Sequence, residues 1–226
     1  MLTVEIQQIL SPERFGTYLT ECDNNVDSAC ELYLWNMRVS SAFFPWLSAA
    51  EVMLRNRIHL ALSKAHGPAW PWANGFERTL PRPKNHGFSL LEELQNTRKK
   101  HQRGFQTGKV IADLKFAFWQ QMLKKNQEHP LWNKYLYTTF PNLDRGLGTS
   151  ANREAVYQRI EQIRKLRNRI AHHEPIFNRN LNDDYQNIVA LIATCCSLDV
   201  IQWLNSNRYP AGFSLPYLEF LLQHQP

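Results

Sequence analysis

Three polar side chains near the end of a helical pattern have the types and spacing needed to cleave RNA without a metal ion. Arg167 and Asn168 are adjacent, and His172 follows four residues after Asn168. Because residues four apart lie on one helix face, Asn168 can orient the His172 imidazole. The imidazole can then exchange a proton with ribose oxygens, while the planar guanidinium of Arg167 binds the phosphate and stabilises transition-state charge. The segment is therefore a candidate active site.

The same residues also have a structural interpretation. Pro175 disfavours helical dihedrals at Glu174, so the sequence predicts a helix that ends at or just after His173. His172 and His173 would then lie in its last turn, where unpaired carbonyls and the negative end of the helix dipole favour a protonated imidazole. Polar residues at a helix end are common, so the spacing alone leaves the structural and catalytic interpretations both open.

The composition is that of a folded protein with a moderate excess of positive charge. The 226 residues are 43% hydrophobic and 12% aromatic, which is enough for a sizeable core. A net charge of +6 suits a polyanionic partner without requiring one. No signal peptide, membrane segment, CxxC pair or metal-binding motif is visible, so we expect a cytoplasmic protein with no metal, no cofactor and no membrane partner.

Helical periodicity and capping residues recur along the chain, and no segment alternates like a half-buried strand. Ser11-Pro12 and the capping box at 89–92 begin predicted helices. A helix over 27–44 is expected to stop at Pro45, and a new one to run from a capping box at 48–51 to Gly67. Other predicted helices cover about 109–127, 150–173, 183–205 and 215–223.

This pattern predicts an all-α fold, a helical bundle. The whole chain, 1–226, is expected to form one helical domain. The segment 68–87, rich in proline and tryptophan, is the best candidate for a hinge between subdomains.

A pentapeptide occurs twice, as 54–58 and as 166–170, both times with the sequence LRNRI. In the first copy, Arg55 and Asn56 can join Glu51 in a polar cluster that lines an RNA cleft and binds substrate. Glu51 is also explained as a capping-box partner or as a helical ion pair with Arg55. Both interpretations of the 51–56 cluster stay open.

Further basic residues are candidates for contact with RNA phosphates. One group surrounds Phe105, an aromatic that can stack on a base, and consists of Arg98, Lys99, Lys100, His101, Arg103 and Lys109. A second group lies on the predicted helix of the candidate site and consists of Arg153, Arg159, Arg164 and Arg169. His173 can assist as a second proton carrier. A charge run is as often a solvated surface.

The string at 166–177, LRNRIAHHEPIF, resembles the signature of the Abi-like (abortive infection) branch of the HEPN superfamily, in which an Arg and a polar residue precede a His. The strings at 29–36 and 51–56 are similar to the same family, and the resemblance extends from about residue 14 to about residue 200. On this resemblance, Arg167, Asn168 and His172 take the family's catalytic positions. Some toxins of the superfamily have a Tyr two residues after the His, which a partner protein modifies; this chain has Glu174 there, so the resemblance does not extend to that form of regulation.

The resemblance implies a HEPN-type helical bundle, here with additional N-terminal helices, that acts as a homodimer. It implies metal-independent cleavage of RNA to 2′,3′-cyclic phosphate ends, in phage defence or as the toxin of a toxin–antitoxin pair with a protein or RNA antitoxin. The alternative is a non-catalytic RNA-binding or scaffold protein with the same helical fold.

One count favours the dimer. Each chain has one complete Arg-Asn…His set, because the residue five after Arg55 is Leu60 and His59 comes one position too early. Acid–base cleavage is easiest with two proton carriers at one phosphate. A twofold dimer that brings two copies of 167–172 into one cleft would supply both.

Overall fold

A computed structural model describes residues 2–81, 87–205 and 215–226, and these ranges contain helices and no strands. The predicted all-α class is confirmed. The helices are α1 (Leu2–Leu10), α2 (Pro12–Glu21), α3 (Val26–His66), α4 (Asn74–Glu77), α5 (Leu90–Lys100), α6 (Thr107–Asp113), α7 (Phe116–Gln121), α8 (Asn133–Thr139), α9 (Gly148–Ala171), α10 (Leu181–Cys195), α11 (Leu198–Leu204) and α12 (Leu215–Gln223).

The chain divides into two compact units. Unit 1 consists of Met1–Trp46, Leu166–Tyr185 and Gln202–Pro226, and unit 2 consists of Leu47–Lys165 and Gln186–Ile201. The segment 68–87 lies within the sequence range of unit 2, and its residues 82–86 lie outside the described part of the chain. None of the described helices is both long and apolar enough to cross a membrane.

The core of unit 1 is formed by aromatic side chains from segments that are far apart in sequence. Tyr18 of α2 is fully buried and packs its ring on Phe177 at 5.2 Å between centroids. The indole N–H of Trp35 donates to the backbone carbonyl of Leu221 in α12 at 2.9 Å. A buried indole needs such an acceptor, so α12 completes this core.

Unit 2 has its own tryptophan-rich core. The ring of Trp70 packs edge-on against Phe76 and Trp119, at 4.8 and 6.2 Å, and all three side chains are buried. Trp132 donates its indole N–H to the carbonyl of Met122 at 2.6 Å. Large buried aromatics account for a core of this size.

Local capping signals predicted several helix ends correctly. The Ser11 side chain accepts from the backbone N–H of Arg14, with Pro12 at the first helical position of α2. Ser89 caps α5 by accepting from Glu92 at 3.2 Å. Helix α3 ends at Gly67, whose φ of 87° is a conformation that only glycine adopts at little cost.

The predicted break at Pro45 is wrong, because α3 runs unbroken from Val26 to His66 with the proline inside it. The capping box expected at 48–51 is therefore mid-helix sequence. A proline in a helix costs about 3 kcal/mol through one lost hydrogen bond and a steric clash. Phe43 and Trp46 beside it are buried, and burial of large side chains on both sides offsets that cost.

The single helix predicted over 109–127 is also wrong. It divides into α6 and α7 because Leu114 and Lys115 are extended, with ψ of 128° and 151°. The N–H of Lys115 donates to the Glu93 carboxylate at 3.2 Å, and its ammonium lies 3.0 Å from the same group. Glu93 is buried, so satisfying this carboxylate outweighs continuation of the helix.

The helix predicted over 183–205 divides into α10 and α11 at Cys196 and Ser197. The side-chain amide of Asn142 donates to the carbonyls of Ala193 and Cys196, at 2.8 and 2.9 Å. A distant amide thus satisfies carbonyls that the end of α10 leaves unpaired.

Candidate active site

The segment that follows Arg167 and Asn168 ends its helix in a defined turn. The N–H of Glu174 donates to the carbonyl of Arg169 at 2.8 Å, and the N–H of His173 donates to that of Ile170 at 3.1 Å. His173 has a φ of 56°, in the left-handed region. This pair of bonds with a left-handed residue between them is a Schellman motif, which satisfies the last helical carbonyls.

The predicted helix end at or after His173 is therefore corrected to Ala171. His172 occupies the cap position, and His173 is the left-handed residue beyond it. Histidine is one of the few side chains other than glycine that adopt this conformation with any frequency, so the turn forms without glycine. The chain leaves the helix axis at His173, and Pro175 follows in extended sequence as expected.

Three contacts from within unit 1 hold this turn. Arg14 of α2 donates from Nη1 to the carbonyl of His173. Arg169 donates from Nη1 to the carbonyl of Pro175 and to Asn178 Oδ1, both at 3.1 Å. The predicted substrate ligand Arg169 thus bonds the chain beyond its own helix, which is a structural contact.

Asn36 supplies a further bond to the segment after the turn. Its Oδ1 accepts the buried N–H of Ile176 at 2.7 Å. Because a backbone N–H can only donate, this bond fixes the amide with oxygen towards Ile176 and nitrogen away from it. Asn36 is 5% exposed and unsatisfied donors are costly at that depth, so the bond anchors the motif segment to α3.

The predicted catalytic residues Arg167 and Asn168 lie in the last turns of α9, and His172 lies at the cap position directly after that helix. Leu166 is fully buried, Arg167 and Asn168 are half-buried, and His172 is exposed. The backbone N–H of His172 donates to the carbonyl of Asn168 at 2.9 Å. In the described part of the chain, this backbone bond is what joins Asn168 to His172, and the orienting role of the Asn168 side chain stays a prediction.

An open groove of about 390 Å³ lies beside this segment within unit 1. Its apolar wall is made by Tyr33, Met37 and Phe44 of α3 and by Ala171 of α9. Met37 and Phe44 are 53% and 65% exposed, which is unusual for side chains of this type. A concave surface with exposed apolar walls beside a polar motif is typical of a ligand site.

Polar groups of the same groove include Tyr18, Asn36 and His173. The hydroxyl of Tyr18 is buried and has no hydrogen-bond partner. Burial raises the pKa of Tyr18 to about 12, with a further contribution from Tyr33, so the hydroxyl keeps its proton at neutral pH. An unsatisfied buried hydroxyl is costly, which makes it a marker of function. Sequence reasoning missed Tyr18, Asn36 and Arg14 because no local pattern distinguishes them.

Other predicted RNA ligands belong to unit 2. Asn56 is exposed, and Arg55 is half-buried with its Nε buried and unpartnered. Arg57 of the same pentapeptide donates to the carbonyl of Cys195, the last residue of α10. A guanidinium at a helix C-terminus is a stabilising arrangement, so Arg57 has a structural contact as Arg169 has.

The basic segment at the end of α5 and just after it also belongs to unit 2, and its residues differ in whether they are bonded within the protein. Arg98 pairs with Glu77 at 2.5 Å and donates to the carbonyl of Pro71, so its guanidinium is already bonded within the protein. Lys99, Lys100 and Arg103 are exposed. Phe105 is 68% exposed and packs edge-on against Trp72. The exposed basic residues of this surface are Lys99, Lys100, Arg103 and Lys109.

The arginines expected to guide a polyanion along α9 are mostly bonded inside the protein. Arg153 is 2% exposed, pairs with Glu128 at 2.9 Å and cannot guide a ligand, so that expectation is wrong for it. Arg164 pairs with Glu161 at 2.9 Å. Burial lowers the pKa of Arg159, whose Nε has no partner.

No group of three metal-ligating side chains occurs among the residues that the structure describes.

The fold and the motif together define an all-helical protein with an Arg-Asn…His segment at a helix end. A family model described as Abi-like protein matches residues 7–178, which include α2, α3, α9 and the whole motif. The chain belongs to the Abi-like family, whose name associates it with abortive infection. No curated protein and no solved structure matches it.

Proposed function

We propose that this protein is a metal-independent endoribonuclease of the HEPN type that acts in phage defence, as an abortive-infection factor or as a toxin. The observation that supports this most strongly is the position of His172. It caps α9 one turn after Asn168, is exposed to solvent, and belongs to a turn fixed by Arg14 and Asn36. A proton carrier for catalysis must be held in this way and still reach its substrate.

The proposed reaction needs only side chains. A base removes the proton of a ribose 2′-hydroxyl, and the 2′-oxygen attacks the adjacent phosphorus. The bond from phosphorus to the 5′-oxygen breaks, and an acid protonates that oxygen. The products are a 2′,3′-cyclic phosphate and a 5′-hydroxyl. His172 serves as base or acid, Arg167 neutralises charge on the phosphorane, and Asn168 orients the imidazole.

A homodimer would supply the second proton carrier, since each chain contains one complete motif. Two copies of 167–172 facing each other across a twofold axis would give one cleft with two imidazoles. Sedimentation velocity at micromolar concentration is expected to show a dimer. A monomer that still cleaves RNA would contradict the composite cleft but not the chemistry.

The central test is cleavage of labelled RNA in EDTA. Wild type and the control His129→Ala, an exposed histidine of unit 2, are expected to cleave and leave cyclic phosphate ends. His172→Ala is expected to lose at least about 100-fold in rate, the usual contribution of one acid–base group. Cleavage unaffected by His172→Ala, or abolished by EDTA, contradicts the mechanism.

The same experiment addresses the non-catalytic alternative. RNA binding without cleavage by the wild type would favour an RNA-binding or scaffold protein. A bound antitoxin would mask activity in the same way, so the purified protein must first be shown by native mass spectrometry to be free of protein and RNA.

A further inference from the structure

We propose that the groove of unit 1 is a subsite for one unpaired nucleobase of the RNA strand, with the base against Tyr33, Met37 and Phe44 and its polar edge at Asn36 and Tyr18. This rests on the proposed function and goes beyond it, because it names what the protein recognises next to the phosphate that it cleaves.

The polar end of the groove contains the side-chain amide of Asn36 and the buried hydroxyl of Tyr18. The N–H of Ile176 occupies Oδ1 of the Asn36 amide, so Nδ2 and its two N–H donors point away from Ile176. Tyr18 is fully buried, and its hydroxyl has no partner. Native proteins rarely leave such groups unsatisfied. A ligand edge that presents an acceptor beside a second polar atom would bond to both.

The walls of the groove select among ligands. Tyr33, Met37 and Phe44 present aromatic and thioether surface, and no arginine or lysine lines the groove. A phosphate would find no charged partner there. An aliphatic side chain would leave the Tyr18 hydroxyl unsatisfied. A nucleobase has a flat apolar face and a polar edge, and aromatic stacking of splayed bases is how proteins bind single-stranded RNA.

The location fits the proposed chemistry. Ile170, Ala171 and His173 line the groove, and they are the neighbours of His172 in the chain. A base held there belongs to a nucleotide next to a phosphate at the motif. Single-stranded RNA is the matching substrate class, since a paired base cannot leave its stack without cost. The groove volume of about 390 Å³ is in the range of small-ligand sites, about 300–1,000 Å³.

The test measures binding rather than cleavage. His172→Ala protein is titrated against fluorescent ten-nucleotide oligo(A), oligo(C) and oligo(U), followed by the best binder carrying one abasic ribose at each position in turn. Removal of the base at one position is expected to weaken binding about tenfold, because about 1.4 kcal/mol of stacking is lost there.

Tyr18→Phe removes the hydroxyl and keeps the ring that packs on Phe177. Added to the His172→Ala protein, this change is expected to weaken binding of the intact oligonucleotide three- to tenfold, which is the value of about one hydrogen bond. It is also expected to reduce the loss of affinity that follows removal of the base at the sensitive position. The matched control is Tyr185→Phe, a buried tyrosine of unit 1 that packs on Trp46 outside the groove.

Phe44→Ala provides a second test that does not disturb the core, because Phe44 is 65% exposed. It is expected to weaken binding about tenfold, whereas Phe220→Ala, which changes a phenylalanine of α12 that is 53% exposed, leaves binding unchanged. The proposed base subsite is contradicted if removal of a base weakens binding equally at every position. It is also contradicted if Tyr18→Phe and Tyr185→Phe weaken binding to the same extent. If wild type still cleaves RNA in that case, the proposed function stands and only this inference fails.

Discussion

Arg14 Nη1 donates a hydrogen bond to the backbone carbonyl of His173, a residue 159 positions later in the chain. The carbonyl belongs to the turn that ends the motif helix, where the helix dipole is negative, so a guanidinium there stabilises the turn. Arg14→Ala is expected to lower the free energy of unfolding by about 1 kcal/mol, measured by urea denaturation.

The matched control for this change is Arg38→Ala, an exposed arginine on α3 in the same unit. It is expected to alter stability by less than about 0.5 kcal/mol. If both variants lose the same stability, the bond to His173 has no special role.

The left-handed conformation of His173 predicts a substitution that does not lower stability. His173→Gly is expected to leave stability unchanged or raise it by up to about 1 kcal/mol, because glycine adopts a φ of 56° without strain. Lys165→Gly, at an exposed position inside α9, is expected to cost about 1 kcal/mol. A destabilised His173→Gly protein would mean that the His173 side chain has a packing role beyond the turn.

Asn36 is expected to be one of the most sensitive polar positions in unit 1. Asn36→Ala leaves the buried N–H of Ile176 without an acceptor and should lower the free energy of unfolding by about 1–3 kcal/mol. Asn182→Ala, an exposed asparagine in α10, serves as the control. A drop of under 0.5 kcal/mol or so for Asn36→Ala would show that solvent satisfies Ile176 instead.

The two arginines that flank Asn168 should separate activity from stability. Arg169→Ala removes the bonds to Pro175 and Asn178 and is expected to lower the unfolding free energy by about 1 kcal/mol. Arg167→Ala is expected to lower kcat for RNA cleavage about 100-fold or more, because a guanidinium stabilises the transition state. Equal losses of kcat in the two variants, at equal stability, would contradict this division.

The burial of His59 predicts that the stability of unit 2 depends on pH. The indole N–H of Trp70 donates to Nδ1 of His59 at 2.9 Å, which requires a neutral ring. Burial lowers the pKa of His59 below its ordinary value of 6.5, so the unfolded state binds its proton first as the pH falls. The stabilisation is present above pH 6.5 and is lost from there down to the lowered folded pKa.

Urea denaturation followed by tryptophan fluorescence at pH 7.5 and 5.0 checks this prediction. His59→Gln keeps an acceptor but cannot titrate, so the difference between the two pH values should shrink. His129→Gln, an exposed histidine of the same unit, should leave that difference unchanged. An unaltered difference in His59→Gln would contradict the assignment.

Local signals in the sequence predicted the parts of the fold that depend on neighbouring residues. Ser11, Ser89 and Gly67 mark helix ends because caps act within one turn. The continuation of α3 through Pro45 was not predictable in this way, since it depends on the burial of Phe43 and Trp46, which the local sequence does not show.

For the candidate site too, the sequence predicted the motif but not the residues that support it. The spacing of Arg167, Asn168 and His172 identified the motif, because it is set by one helix. The residues that support it, Arg14 and Asn36, act across more than a hundred positions of sequence, and nothing local to them indicates a partner. For Arg98 and Arg153 the sequence shows the positive charge but not Glu77 and Glu128, the carboxylates that pair with them.

The bond from Trp35 to Leu221 has a consequence for how the protein is made. Unit 1 consists of three segments, and the two segments of unit 2 lie between them in the sequence, so the helices of unit 1 meet only after long stretches of chain have been synthesised. Until Leu221 leaves the ribosome, the Trp35 indole has no acceptor and the support of the motif is incomplete. A nascent chain therefore contains the Arg-Asn…His segment before Leu221 is available to complete the core of unit 1.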